Sequence, residues 1–294
     1  MQFPSLLSFI QRVINRAADG DGGKTEAPPA PPVFHKDEVK VKSLLRHERF
    51  AGDAELAAVI AGKAALTKGA KGDAVQKVQQ ALQDMAFVLP SGADGAFGNQ
   101  TAQALKNFQS AAGLPQTGEL DAKTLKALDQ HAPAPGQTSW SGGQSSLVPS
   151  PDLGHGKKAR VVVDISQHRA FLYDQDGELT KIYGVRSGNG AKGWDTKPGV
   201  KVIDGKNNDP TSIARQLWGG SGDAFGTRLL NLSDYDLETG KKYLGKHKGQ
   251  ELHGTYQEES IGRDFSHGCV GLKNADIEEI FDQVKNGELV HFVE

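Results

Sequence analysis

Two stretches that lack the apolar residues to build a core partition this 294-residue chain. Residues 17–34 (AADGDGGKTEAPPAPPVF) are rich in Gly and Pro, and residues 131–158 (HAPAPGQTSWSGGQSSLVPSPDLGHGKK) in Ser, Gly and Pro. Such segments bury too little apolar surface to offset the entropy of ordering, so they read as connectors. The division predicts a leader and linker over 1–38, a helical domain over 39–130, a flexible linker over 131–158 and a β-rich domain over 159–294. Both folded segments have a domain's usual size. The expected class is α+β, a small three-helix bundle followed by a β-rich unit.

Hydrophobic residues make up 37% and charged residues 24% of the chain, and the formal charge is −2. That balance suits a globular protein and offers no excess of positive charge to recruit nucleic acid or an anionic membrane. In Met1–Ile14 no Lys or Arg precedes the apolar residues, and Pro4, Ser5, Ser8, Gln11 and Arg12 interrupt them. This does not read as an ordinary secretory signal. No run approaches the ~18 apolar residues of a membrane span. Leu6, Ile10 and Val13 share one helical face, which leaves a short docking helix and a frayed leader both open.

Periodicity assigns the elements. Leu56, Val59 and Ile60 predict a short helix ended by Gly62. Val75, Val78, Leu82 and Met85 recur at helical spacing behind Asp73-Ala-Val-Gln76, which has capping-box spacing. Asn99 to Ala112 repeats the pattern with Ala102, Leu105 and Phe108, and Asp121 caps a last helix carrying Leu125 and Leu128. Beyond residue 158 the reading changes to strands at 160–164, 170–173, 180–185, 199–203, 228–232, 249–253 and 288–293. One helix follows Asn274, with Ile277, Ile280, Phe281 and Val284 on one face.

The chain has a single cysteine, Cys269, so no intramolecular disulfide forms. A lone Cys serves as a small core residue, a ligand or a nucleophile. Cys269 lies in Ser266-His-Gly-Cys-Val-Gly-Leu272, downstream of Glu251-Leu-His-Gly-Thr255. An imidazole at His253 brought beside the thiol would take its proton, and Gly268 permits a tight turn whose N–H groups, with that of Cys269, would receive an oxyanion. A zinc set of His253, His267 and Cys269 has ligand-type residues but no common zinc spacing. We therefore expect no metal and no other cofactor. His247, His291 and the basic run from Lys241 to Lys248 read as surface groups.

Two family resemblances sharpen this. Leu66, Gly69, Gly72, Val75, Gln79, Leu82, Asp94-Gly-Ala-Phe-Gly98, Thr101, Ala102, Phe108-Gln109, Gly113-Leu114, Gly118, Asp121 and Thr124-Leu125 resemble the type-1 peptidoglycan-binding domain. The HGT…SHGCVGL pair, with Val161–Asp164, Phe171–Tyr173, Val185-Arg-Ser-Gly188, Thr196-Lys-Pro-Gly199 and Ile261-Gly262, resembles the L,D-transpeptidase catalytic domain of YkuD type, which implies a β-sandwich. That resemblance implies that Cys269 is the acylated nucleophile, His253 its base and later acid, and the Gly254 carbonyl the group orienting the imidazole. It gives Ser266 and His267 the task of shaping the loop. The reaction implied is attack on a tetrapeptide stem between the L-centre of meso-diaminopimelate and the terminal D-alanine. An amine then accepts the acyl group, or water does, in which case the enzyme is an L,D-carboxypeptidase. Arg186 and Arg263 would pair with substrate carboxylates or make surface ion pairs.

Gly271 stands where the family usually carries Arg or Asn, and Lys197 where Pro usually follows Thr. The implied partners are peptidoglycan stem peptides and glycan, outside the cytoplasm, with the linker letting the helical domain raise local substrate concentration. A wall-docking protein with a vestigial catalytic domain remains an alternative. So does a wall-targeting effector that a secretion or injection apparatus takes up through the N-terminal segment.

Overall fold

A computed structural model describes residues 44–139, 147–243 and 250–294. The expected leader, the first linker and His247 lie outside the described residues, as does most of the basic run after Tyr243. The helical region carries α1 (Ala54–Ile60), α2 (Asp73–Asp84), α3 (Asn99–Ala111) and α4 (Ala122–His131). The apolar positions read from periodicity converge: Leu56, Val59, Val75, Val78, Leu82, Met85, Leu105, Phe108, Leu125 and Leu128 are all buried in one cluster. Two buried amides fix the loops between these helices. Gln79 Nε2 donates to Asp94 Oδ1 at 2.9 Å while its Oε1 accepts from Gly95 N at 2.8 Å. Gln109 Oε1 likewise accepts from Gly118 N at 2.8 Å.

Asp121 caps α4 by accepting from Thr124 N at 2.8 Å. The capping box at Asp73 does not form. Gly72 is the N-cap, at φ +125°, and no side chain bonds there. Glycine alone enters the helix comfortably at that angle, which carries Asp73 into the first turn, where its charge suits the helix dipole.

The remainder holds β1 (Ala159–Asp164), β2 (Arg169–Tyr173), β3 (Leu179–Gly184), β4 (Ser187–Gly188), β5 (Gly199–Asn207), β6 (Leu229–Tyr235), β7 (Lys242–Tyr243), β8 (Leu252–Thr255), β9 (Asp264–Ser266), β10 (Val270–Lys273) and β11 (Leu289–Val293). It also holds α5 (Thr211–Trp218) and α6 (Asn274–Gln283). The layout is α+β. A mixed sheet runs β10-β8-β6-β5-β11-β1-β2-β3, with β7 beside β6 and β4 paired to β9 apart from it. Its two ends approach each other: Arg186, just past β3, bridges to Gly271 in β10. The curled sheet encloses a core in which Val161, Leu172, Ile203, Leu230, Leu252, Val270 and Val290 meet Ile277 and Ile280 of α6. Asn274 does not cap α6. Its Oδ1 instead accepts from Thr227 N at 3.1 Å, bracing the segment that leads into β6. Helix α5, β7 and the short strands β4, β9 and β10 were not anticipated: the strands are two to four residues long, too short to show a period, and α5 is a helix of eight residues whose apolar pair Ile213 and Leu217 spans one turn.

In the stretch expected as a linker, two described residues, Ser139 and Leu147, are buried, and the other described ones are exposed or half-buried. Ser139 N donates to Asp84 O at 2.9 Å, and Leu147 is buried in the helical core. Arg169, fully buried, ties the pieces together: Nη1 donates to Met85 O and Nη2 to Leu147 O, each at 2.8 Å. Its guanidinium also lies 4.2 Å from the Phe87 ring centroid. Asn107 Nδ2 donates to Gly262 O at 2.8 Å. Val88 occupies a notch made by Gly184 and Gly262, where a Cβ at Gly184 would come within 2.2 Å of it. The partners of Ser139 and Leu147 are supplied by other elements, so the composition of the stretch carries no signal of them.

Arg169→Ala leaves the Met85 and Leu147 carbonyls buried without their donor, so unfolding stability falls by about 2–4 kcal/mol. Urea denaturation of the intact chain measures this, and a loss below about 0.5 kcal/mol, the range of ordinary surface changes, overturns the role given to Arg169.

Candidate active site

The site is assembled by strand pairing. β10 lies parallel to β8 with Gly271 opposite His253 and Val270 opposite Leu252. This sets Cys269, the residue entering β10, beside the strand that carries His253. Both side chains line a cleft of about 640 Å³ with Arg186, Phe225, Thr255, Tyr256, Gln257, Phe265, Ser266, His267 and the glycine-rich turn 219–222.

His253 is buried, and Nδ1 lies 2.6 Å from the Gly254 carbonyl oxygen. A carbonyl only accepts, so Nδ1 carries the proton and Nε2 is the basic nitrogen. The Phe225 ring holds the imidazole edge-to-face at 5.0 Å between centroids. Gly254 has no room for a side chain, since a Cβ there would stand 2.3 Å from Asn274 Oδ1. Burial is the main cause that lowers the His253 pKa to about 4, opposed by the Gly254 carbonyl and assisted by the Arg186 charge. Burial also pushes the Cys269 thiol up to about 12, although the residue as a whole is partly exposed. A hydrogen bond from the Glu251 backbone and the Arg186 charge act in the opposite direction on the thiol. At neutral pH both partners are therefore uncharged. Such an arrangement has a basic imidazole nitrogen and a protonated thiol rather than a standing thiolate.

The loop before Cys269 is braced on every side. Gly268 adopts φ +114°, which favours glycine. Ser266 Oγ donates to Cys269 O at 2.5 Å and accepts from Gly268 N at 3.2 Å. The Gly268 N–H is thus engaged with Ser266. Thr196 Oγ1 donates to Gly268 O at 3.0 Å and accepts from Gly188 N at 2.8 Å. The His267 ring stacks on Trp194 at 3.8 Å between centroids. Farther back, Asp264 Oδ1 accepts from Ser187 Oγ at 2.6 Å and pairs with His168 Nε2 at 3.0 Å, anchoring β9.

Of the residues singled out from sequence, Cys269, His253, His267, Ser266 and Arg186 share the cleft. Gly254 meets the imidazole through its carbonyl. Arg263 faces elsewhere: it lines a cavity of about 750 Å³ between the helical and β-rich regions, with Lys68, Lys106, Glu119 and Glu259. Sequence reasoning missed Phe225, Trp194 and the 219–222 turn, whose positions follow from no local pattern. Among the described residues no group of three or more His, Cys, Asp or Glu is arranged to hold a metal ion. No helix among them is long and apolar enough to cross a membrane.

Comparison with known proteins locates these features. Residues 158–292 match the family model described as "L,D-transpeptidase catalytic domain" (YkuD), and residues 71–128 match "Putative peptidoglycan binding domain". The chain is 29% identical over 167 residues to "Putative L,D-transpeptidase YkuD" of Bacillus licheniformis, covering 57% of this chain and 85% of that one. It is 24% identical over 159 residues to "Probable L,D-transpeptidase ErfK/SrfK" of Escherichia coli K12, covering 52% of this chain and 50% of that one. A crystal structure of an L,D-transpeptidase from Xylanimonas cellulosilytica aligns with 77% of this chain and 96% of its own, at 24% identity and a TM-score of 0.42.

A thiol with a pKa near 12 reacts slowly at neutral pH. Alkylation of Cys269 by iodoacetamide in the folded protein should accelerate about tenfold per pH unit from pH 7 to 10. A rate already level by pH 8 would mean that the thiol ionises far below the value its burial imposes.

Proposed function

Because residues 158–292 form a YkuD-type L,D-transpeptidase catalytic domain and residues 71–128 a peptidoglycan-binding one, we propose that the protein transfers acyl groups between peptidoglycan stem peptides through a thioester on Cys269. The observation that carries this reading is the His253–Gly254 lock. It leaves Nε2 as a base in the cleft that holds the molecule's single thiol.

Nε2 takes the thiol proton as Sγ attacks the carbonyl that joins diaminopimelate to the terminal D-residue. The C–N bond breaks, the imidazolium returns the proton to the departing amine, and a thioester remains. An acceptor amine then attacks the thioester, loses a proton to Nε2 and restores the thiol. With water as acceptor the same steps release a shortened stem, the carboxypeptidase outcome. Gly254 keeps the imidazole in one tautomer throughout, a task a carboxylate performs in other triads. Ser266, His267, Thr196 and Trp194 act through the loop, by holding the backbone that presents Cys269. The substrate places the protein outside the cytoplasm.

The rigid packing of the helical region changes how a wall-binding module would serve. It sits at a set distance from the cleft, so it would orient the wall polymer as well as concentrate it.

Incubating the full chain with a tetrapeptide stem should give a covalent adduct on Cys269 visible by intact-protein mass spectrometry. Cys269→Ala should abolish the adduct, and His253→Ala should slow its formation about 100-fold or more. Absence of any adduct on protein whose thiol still titrates would sink the thioester reading.

A further inference from the structure

Arg186 is a buried cation with no ion-pair partner among the described residues. The residue is 6% exposed. Nη1 donates to Gln257 Oε1 and to Ser260 Oγ, both at 3.1 Å and both neutral. Nε is buried and has no hydrogen-bond partner. Among the described residues no carboxylate lies within ion-pairing distance of it, and Glu259 acts on it only from farther away. A guanidinium left so is costly unless an anion completes it.

Arg169 shows what a purely structural buried arginine looks like in this molecule. Its Nε, Nη1 and Nη2 all donate to oxygen acceptors, and its head lies between the Phe87 and Phe171 rings. It lines neither the cleft nor the cavity between the two regions. Arg186 also lies near a ring, with its guanidinium 5.6 Å from the Phe265 centroid, but its Nε lacks an acceptor and it forms part of the cleft wall beside Cys269 and His253.

Gly271 is what lets Arg186 stand there. The two residues are cross-strand partners: Arg186 N donates to Gly271 O at 2.8 Å, and Gly271 N to Arg186 O at 3.1 Å. A Cβ on Gly271 would lie 2.4 Å from Arg186 Nε, 2.9 Å from Cγ and 3.1 Å from Cδ. Gly271 has no positive φ, so its backbone does not require glycine. The vacant side-chain position is required for space, and the arginine stem lies across it.

We propose that Arg186, laid over Gly271, is an anion subsite of the cleft that binds a carboxylate of the stem peptide next to the bond being exchanged. The assignment rests on the stem-peptide reading above. A planar guanidinium held by neutral acceptors at the cleft wall suits a carboxylate, which supplies the missing opposite charge.

Binding can be measured without turnover by calorimetry on the full-length Cys269→Ala protein. The probes are a tetrapeptide stem and two analogues, one amidated at the terminal D-residue and one at the diaminopimelate carboxylate. One of the two amides should bind about 30-fold more weakly than the parent, and Arg186→Gln should weaken the parent to the same degree. In the Arg186→Gln background, parent and amide should then bind alike. Gly271→Ala, which displaces the arginine without removing its charge, should weaken the parent too, and Arg186→Lys should restore part of the loss. Thermal melts confirm that each variant is folded. Equal binding of all three peptides, or no binding of any, overturns the subsite. So does unchanged binding in Arg186→Gln with an altered pH profile of Cys269 alkylation, which would make Arg186 a partner of the thiol alone. The adduct experiment on unmodified protein judges the thioester separately.

Discussion

The parallel pairing of β8 with β10 is the constraint from which the site follows. Parallel neighbours cannot be joined by a tight turn, so the chain must travel between them. Here it travels through 256–269, the segment that supplies the cleft with Tyr256, Gln257, Phe265, Ser266 and His267 and ends at Cys269. The same pairing puts Gly271 opposite His253 on one side and, through the closing bridge, opposite Arg186 on the other. Base, thiol and cation therefore meet because one short strand has neighbours on both edges.

Electrostatically the site is built from uncharged partners. The imidazole is held neutral and the thiol protonated, both chiefly by burial. A resting ion pair would need a polar surround to sustain it. This site provides instead a carbonyl that sets the tautomer, an aromatic ring that fixes the plane and a loop whose N–H and C=O groups are already engaged. Such preorganisation would spare the protein from rearranging its dipoles in the thioester chemistry proposed for Cys269. The single buried cation is held by an amide and a hydroxyl, so its field reaches both the thiol and the imidazole without being neutralised nearby.

The packing of the helical region against the β-rich one has a consequence for the cleft. The segment that walls the cleft with Tyr256, Gln257 and Phe265 also presents Ile261, Gly262 and Arg263 to the cavity at the junction. Asn107 holds the Gly262 carbonyl, and Val88 fills the notch beside it. The helical region is thus a support of the cleft wall. Its attachment relies on Arg169, a residue indistinguishable in sequence from any surface arginine.

Much of this was legible in the residues alone. Helical spacing located α2, α3, α4 and α6, β-branched runs located β1, β2, β3 and β11, and the HGT and SHGC segments identified His253 and Cys269. These are local signals: a period or a tight turn needs only neighbours along the chain. The sequence could not show that Gly72 rather than Asp73 caps α2, that Asn274 braces Thr227, or that Leu147 is buried in the helical core, since each depends on partners far away in the chain. Nor could it show that Gly268 spends its N–H on Ser266. Gly271 reads in sequence as a missing side chain, and only the closure of the sheet reveals that Arg186 occupies the space. Residue identity determined which groups are able to carry chemistry. Tertiary structure decided which of them share a cleft and in what protonation state, because burial and long-range pairing are properties of the packed chain.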